Sequence, residues 1–403
     1  MEGYFRIGTN YYKLVYQPQL DGNIFPVIVP WTRQAIIDDH KKDALESVKR
    51  YEGFTVIPSH SNYQYSVKNF YNLYAPLTHD LTIEYSPGSI PLTLSFLNHI
   101  FGDQLELGLD FITLLWQKPT QMLPILCLTS SERNTGKTTF LNWLKSIFQD
   151  NMTTNTNDDF RSRFNSDWAL GKLIIAIDEV LLERREDSER LKNLSTAKNV
   201  KPEAKGKDKV EVRFFGHFIL CSNNEDSFVL IDDKEIRYWV LKISPLQSVD
   251  SDFEDKLLKE LPQFIAFLNQ RKISCPKRTR MWFTPEQIHT SALDKLIKGT
   301  KVNLEKELIV TLDELLKEYD LQEIKFTTED LQNLLRDSLY KTPRNKIIEI
   351  IKGKWGLKNI NSSYFRYHHS IHPGTNEWQV SHENIKGRCY TFSREFIDSM
   401  LKC

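Results

Sequence analysis

Ser131-Glu-Arg-Asn-Thr-Gly136-Lys137-Thr138 stands between an apolar run, Leu123-Pro-Ile-Leu-Cys-Leu128, and an amphipathic stretch, Thr139 to Phe148. A buried strand, a tight loop and a helix opening at Lys-Thr constrain the rest of the chain. Such a strand needs parallel neighbours and helices over both sheet faces. The same layout is the context of a phosphate-binding loop. Backbone N–H groups from Ser131 to Gly136, with the partial positive charge of the helix start, would surround a polyphosphate. Lys137 would reach the β- and γ-phosphates and the Thr138 hydroxyl would ligate Mg²⁺, with Asn134, Thr135 and Thr139 completing the cradle. Ser131 occupies a place where such loops carry glycine, but the closest backbone approach falls at Gly136. The plainer alternative is an ordinary strand-to-helix turn ending in a lysine.

Leu173-Ile-Ile-Ala-Ile-Asp178-Glu179 follows about 40 residues later. It is an apolar run ending in two acids, and it sets a carboxylate pair at the carboxyl end of a buried strand, where open α/β sheets bind ligands. Asp178 would hold the metal shell and Glu179 would act as general base on a water. A third apolar run, Phe214 to Ser222, ends in Asn223-Asn224. Asn223 would orient the water and sense the terminal phosphate, or the two amides simply make a turn. Arg237, before the apolar run Tyr238–Ile243, is either an arginine finger for a neighbouring subunit or a surface partner of Asp232 or Asp233.

Together these segments resemble the superfamily 3 helicases of viruses, phages and plasmids, most closely the helicase part of phage and poxvirus-type primase-helicases. The likeness is strong over residues 90–245 and weak before them, in Val29-Pro-Trp31 and Asn69 to Tyr74. It implies an α/β class fold, a P-loop AAA+-like core with a parallel sheet, and ATP and Mg²⁺ as cofactors. It also implies hexameric rings moving on single-stranded and forked DNA. On matching residues it implies Lys137 and Thr138 at the nucleotide, Asp178 and Glu179 at metal and water, Asn223 as sensor and Arg237 as finger. A DNA-contacting loop is implied between the second and third motifs. Lys198 to Arg213 holds six basic and three acidic residues there, and Lys205, Lys207 and Lys209 are its best candidates for phosphate contact.

The expected division is 1–85, a small Tyr-rich α+β module; 86–275, the ATPase core with preceding helices; and 276–403, a winged-helix-like domain. Pro276–Pro285 reads as a basic linker or domain edge. Aromatics of the first module either fill its core or stack bases. In the last domain, residues 325–370 carry nine Lys/Arg against four Asp/Glu, with Lys341, Arg344 and Lys346 at the expected recognition helix and Lys354 and Arg366 near the wing. Winged helices bind duplex DNA or dock proteins.

The 53 basic and 53 acidic residues balance, so any nucleic-acid surface must come from local clustering. Five scattered cysteines with no C-x-x-C argue against a disulfide framework or thiolate zinc site. The spacing of His368, His369, His372 and His382 beside Cys389 matches no structural zinc arrangement. The first residues lack a signal-peptide pattern and no apolar run is long enough to span a membrane, so a cytoplasmic protein is expected, in the host cytoplasm if phage-encoded. The short N-terminal block shows no catalytic acid cluster, so primer synthesis is expected from a separate primase or polymerase. The alternatives are an ATP-dependent initiator or loader without processive unwinding, and a small-molecule P-loop kinase.

Overall fold

A computed structural model describes residues 3–18, 24–203, 211–232, 235–246, 250–337, 344–371 and 378–401. The chain forms two compact units. The first holds residues 1–180, 191–225 and 235–293, and the second holds 181–190, 226–234 and 294–403.

A five-stranded sheet centres the first unit. Its strands are β1 (Ile125–Thr129), β2 (Met152–Asn155), β3 (Ile174–Ile177), β4 (His217–Ser222) and β5 (Tyr238–Lys242). They lie in the order β5-β1-β4-β3-β2, every pair parallel. Each residue of β1, β3 and β4 is buried, as unbroken apolar strands require when both faces are covered. β2 is the strand that apolar runs do not announce: Met152-Thr-Thr-Asn155 alternates only weakly.

Helix α1 (Lys137–Phe148) covers the sheet with Phe140, Leu141, Trp143, Leu144, Ile147 and Phe148 buried at helical spacing. Helix α2 (Phe253–Gln270) packs Phe264 against Trp143, ring centroids 4.9 Å apart. The stretch before the sheet forms two helices, Pro91–Phe101 and Leu105–Gln117, and the break falls at Gly102, in a positive-φ conformation. Gly108, where the helical spacing of Pro91 to Trp116 also predicts a break, lies inside the second helix. A Cβ there would sit 2.3 Å from the Phe101 ring, so this glycine serves close packing rather than a turn.

The Tyr-rich module contributes a four-stranded and a three-stranded sheet. Phe5 stacks on Tyr71 at 4.4 Å and on Tyr12 at 5.3 Å, and Phe5, Tyr51 and Tyr71 form a buried cluster. These rings are core. The sequence from Ala35 to Tyr51 reads as one helix, but the helix stops at His40, because Lys41 takes φ +68 and turns the chain into a short 3₁₀ segment and then strand Lys49–Tyr51.

In the second unit, a long helix Ser291–Glu318 leads to strand Glu323–Phe326, then helices Thr328–Asp337 and Arg344–Ile348. A hairpin of Ile360–Ile371 and Trp378–Ser393 follows, the latter strand continuous where the runs Trp378–Val380 and Arg388–Phe392 predict two pieces. Asp330 ties helix to hairpin, accepting from Tyr364 Oη at 2.7 Å and Arg366 Nε at 2.7 Å. No described helix is long and apolar enough to cross a membrane.

Buried His60 tests the packing around the first unit's core. Its Nδ1–H donates to the Trp116 carbonyl at 2.7 Å, so Nε2 accepts from the Tyr74 hydroxyl at 2.6 Å, the neutral tautomer. Burial lowers its pKa from 6.5 to about 4. The unfolded chain therefore takes up this proton near pH 6.5 and the folded chain only near pH 4. Stability from this group is intact above pH 6.5 and is lost as the pH falls through that window, by roughly 3 kcal/mol in all. Denaturant midpoints from pH 7 to 4 should fall steeply in the native protein and more shallowly in His60→Gln. Equal slopes would contradict the assignment.

Candidate functional site

Four segments end at one edge of the sheet. Because β1, β3, β4 and β5 are parallel, their carboxyl ends deliver the 130–136 loop, Asp178-Glu179, Asn223 and the chain leading to Leu246 to the same rim. β4 lies between β1 and β3, so Asn223 emerges between the loop and the acids.

Main-chain bonds and one carboxylate fix the loop. Ser130 N–H donates to Ser222 O at 3.1 Å, and Leu246 N–H donates to Asn134 O at 2.9 Å. Ser131 N–H donates to Glu225 Oε1 at 2.8 Å, and Lys242 Nζ stands 3.1 Å from the other Glu225 oxygen. Asn134 and Gly136 adopt φ of +55 and +85. Gly136 caps α1 in the left-handed region and would set a Cβ 3.2 Å from the Phe96 ring. Glycine is required there on both counts.

Lys137 is 7% exposed, and its ammonium donates to Thr135 Oγ1 at 3.1 Å. Burial lowers its pKa, opposed by the nearby charges of Asp178 and Glu225. A buried ammonium held by one neutral hydroxyl is poised for an anion. Thr138 Oγ1, at the first turn of α1, donates to Asp178 Oδ2 at 3.1 Å, bringing hydroxyl and carboxylate within the span of one divalent cation's coordination shell.

Glu179 is exposed and its backbone has φ +52, outside the usual region for a residue with a side chain. Asn157 Nδ2 donates to its carbonyl at 3.2 Å, and the next N–H, Val180, donates to Cys221 O at 2.8 Å. These bonds hold the turn after β3. The Asn223 side chain is exposed at the rim, while Asn224 N–H folds back on Ser222 Oγ at 3.1 Å. Thr139 is half-buried in α1, and Ser131 and Asn134 are exposed.

Arg237 is not brought to this rim. It directly precedes β5, and its carbonyl accepts from Ile125 N–H at the start of β1, which sets it at the amino edge of the sheet. Five residues of strand separate it from the loop, roughly 16 Å. Its Nη1 donates to both oxygens of Glu235 at 2.9 Å, and its Nε is buried without an acceptor. Glu235, rather than Asp232, is its partner; Asp232 pairs with Arg185 at 3.3 Å. Lys205, Lys207 and Lys209 lie outside the described residues, as does Lys341. Arg344 is exposed and Lys346 half-buried on the short helix of the second unit, while Lys354 and Arg366 are engaged by Glu305 and Asp330. No cluster of three or more metal-ligating side chains occurs among the described residues.

Glu225, His99 and Asn157 are the supporting residues that sequence reasoning missed. His99 Nε2 contacts Thr135 O at 3.1 Å. Only Glu225 left a trace, as an acid two residues past Asn223.

Residues 128–237, from the end of β1 to Arg237, match a family described as a family of unknown function (DUF5906). A stretch of 116 residues is 32% identical to the DNA primase-polymerase of Nitratiruptor phage NrS-1, covering 28% of this chain and 16% of that protein's length. The chain is thus related to a phage primase-polymerase. Its fold is similar to the apo C-terminal region of NrS-1, with TM-score 0.59 and 17% identity over 88% of this chain and 87% of the other. A second apo form of that region gives TM-score 0.57 and 16% identity over 94% of each. These likenesses show a shared mixed α/β fold with a parallel sheet.

Gly136→Ala should lower unfolding free energy by about 1–2 kcal/mol, from left-handed strain and the Phe96 contact together. Chemical denaturation measures it. An unchanged midpoint would mean that the loop does not hold this conformation.

Proposed function

We propose that this chain is the ATP-dependent motor of a phage DNA-replication machinery, a superfamily 3 helicase that hydrolyses ATP between subunits of a homo-oligomeric, hexameric ring. In this reading it moves on single-stranded and forked DNA beside a separate primase or polymerase. The observation that carries it is the Thr138–Asp178 contact with the Lys137 ammonium buried at the adjoining loop. Relationship to a phage DNA primase-polymerase supports a role in phage replication. Likeness to that protein's C-terminal region, across nearly its whole length, supports a part distinct from the rest of that polypeptide. The strand order supports an AAA+-like core over 86–275, since it threads the Asn223 strand between loop and acids. Two helices followed by a hairpin support a winged-helix-like domain within 276–403, with Arg344 and Lys346 toward DNA. Residues 1–85 would then serve as an accessory module.

The chain's own groups divide the work. Loop N–H groups and Lys137 bind the β- and γ-phosphates, and their preorganisation means that little rearrangement accompanies charge transfer to the leaving phosphate. Mg²⁺, held by Thr138 and Asp178, would neutralise phosphate charge when bound. Glu179 takes a proton from the attacking water, and Asn223 orients that water. Arg237 cannot serve its own rim from the opposite edge of the sheet, so any finger role is in trans and requires release from Glu235. Lys205, Lys207 and Lys209 would grip strand phosphates without reading sequence.

Lys137→Ala should abolish ATP hydrolysis. Glu179→Gln should bind ATP normally yet turn it over about 10²- to 10⁴-fold more slowly, the range of a lost general base. Steady-state ATPase assays with and without single-stranded DNA measure both, and DNA should stimulate the native protein. A forked duplex separates a helicase from a loader: strand displacement supports the first, and ATP-dependent binding without displacement supports the second. ATP turnover unaffected by Lys137→Ala would sink the reading.

A further inference from the structure

At the sheet's other edge, the starts of β1 and β4 border a cavity of about 260 Å³ within the first unit. Leu123 and His217 mark the two strand starts in its wall. Lys198, Arg213, Lys277 and Arg280 line it, all four exposed at the surface, and no acidic residue lines it. None of the four cations meets a carboxylate among the described residues, though the chain as a whole has 53 acids for 53 bases. Lys277 Nζ donates to the neutral Gln121 Oε1 at 2.8 Å. Four like charges around one opening repel one another, and an anion relieves that repulsion.

The cations are rigidly presented from two sides. Lys277 and Arg280 follow a segment pinned by a buried carboxylate: Asp110 accepts from Ser274 N–H at 2.9 Å and Cys275 N–H at 2.7 Å and pairs with Arg271. Trp282, at φ +74, closes the turn through Arg278 N–H to its carbonyl at 2.9 Å, and its indole donates to Cys275 O at 2.7 Å. This is the Pro276–Pro285 segment, whose basic character is unexplained by a linker role. On the other side, Lys198 and Arg213 stand at the base of a hairpin in which Asn199 pairs with Arg213 and Phe214 N–H donates to Lys198 O at 2.9 Å. Lys201, directly after the Asn199 strand, is exposed as well.

We propose that this cavity binds backbone phosphates of a single-stranded polynucleotide. Phosphate is the chemistry that four unneutralised cations and no acid select. A polymer is favoured over a free phosphate because the four exposed cations come from two separate segments, and exposed Lys201 follows directly on the strand Asn199–Val200. The site is separate from the nucleotide rim, being at the opposite end of the six-residue β4. The proposal deepens the motor reading by naming a second grip on the strand, and it can fail independently.

The test is anisotropy of labelled (dT)30 and (dT)5 without nucleotide across a salt series, using the full chain and Arg213→Ala/Arg280→Ala. The double variant should lose at least tenfold in (dT)30 affinity. Its slope of log affinity against log salt should fall by about 1.4, two phosphates at about 0.7 each. Arg213→Lys/Arg280→Lys should restore the slope, which a folding defect would not allow. Basal ATPase should stay at the native rate, since neither arginine touches the rim. Native affinity and slope in the alanine variant would overturn the proposal. So would (dT)5 and (dT)30 binding equally and being displaced by millimolar inorganic phosphate, the mark of a free-phosphate site. Loss of ATP turnover with this DNA binding intact would instead count against the motor reading alone.

Discussion

A buried ammonium at the start of a helix is the constraint around which the first unit is organised. Lys137 is almost wholly out of water, and its ammonium donates to the neutral Thr135 hydroxyl. Such a charge is tolerable where acids stand nearby and an anion completes its shell. The parallel sheet supplies both conditions. Its strand ends bring Asp178 and Glu225 close enough to raise the lysine's proton affinity against the effect of burial, and the intervening loop passes through positive φ at Asn134 and Gly136 to open the helix at Lys137. Reversing any one of these strands would send its polar end to the opposite edge.

Glu225 shows how the departure at Ser131 is accommodated. A loop beginning with serine has less backbone freedom than one beginning with glycine. Here the serine N–H is bonded to a buried carboxylate that also meets Lys242. The conformational demand is concentrated at Asn134 and Gly136, where positive φ is actually adopted, and asparagine tolerates that region better than most side chains.

The parts of the fold legible in the sequence are those written as long apolar runs or clear helical spacing. β1, β3 and β4 are such runs, and the amphipathic spacing from Phe253 to Gln270 covers the whole of α2. β2 was not legible, because an edge strand of four residues with two threonines carries little apolar signal. Gly108 reads as a break in sequence because a glycine that admits a neighbouring ring looks the same there as one that ends a helix. In the site, Lys137, Thr138 and Asp178 are local motif residues and come together as their spacing implies. Glu225, His99 and the basic cavity depend on contacts between distant segments, so no spacing rule marks them. Arg237's position at the amino edge follows only from strand direction, which the sequence does not state.

The central claim is that Thr138 and Asp178 form one half of a magnesium–triphosphate site whose other half is Lys137 and its loop. Calorimetric titration of a slowly hydrolysed ATP analogue, with and without Mg²⁺, into the native protein and into Thr138→Val and Asp178→Asn tests it directly. The account predicts that magnesium tightens native binding at least tenfold, and that this enhancement disappears in both variants while metal-free binding survives. Native protein that takes up no analogue, or variants that keep the full magnesium enhancement, would contradict it.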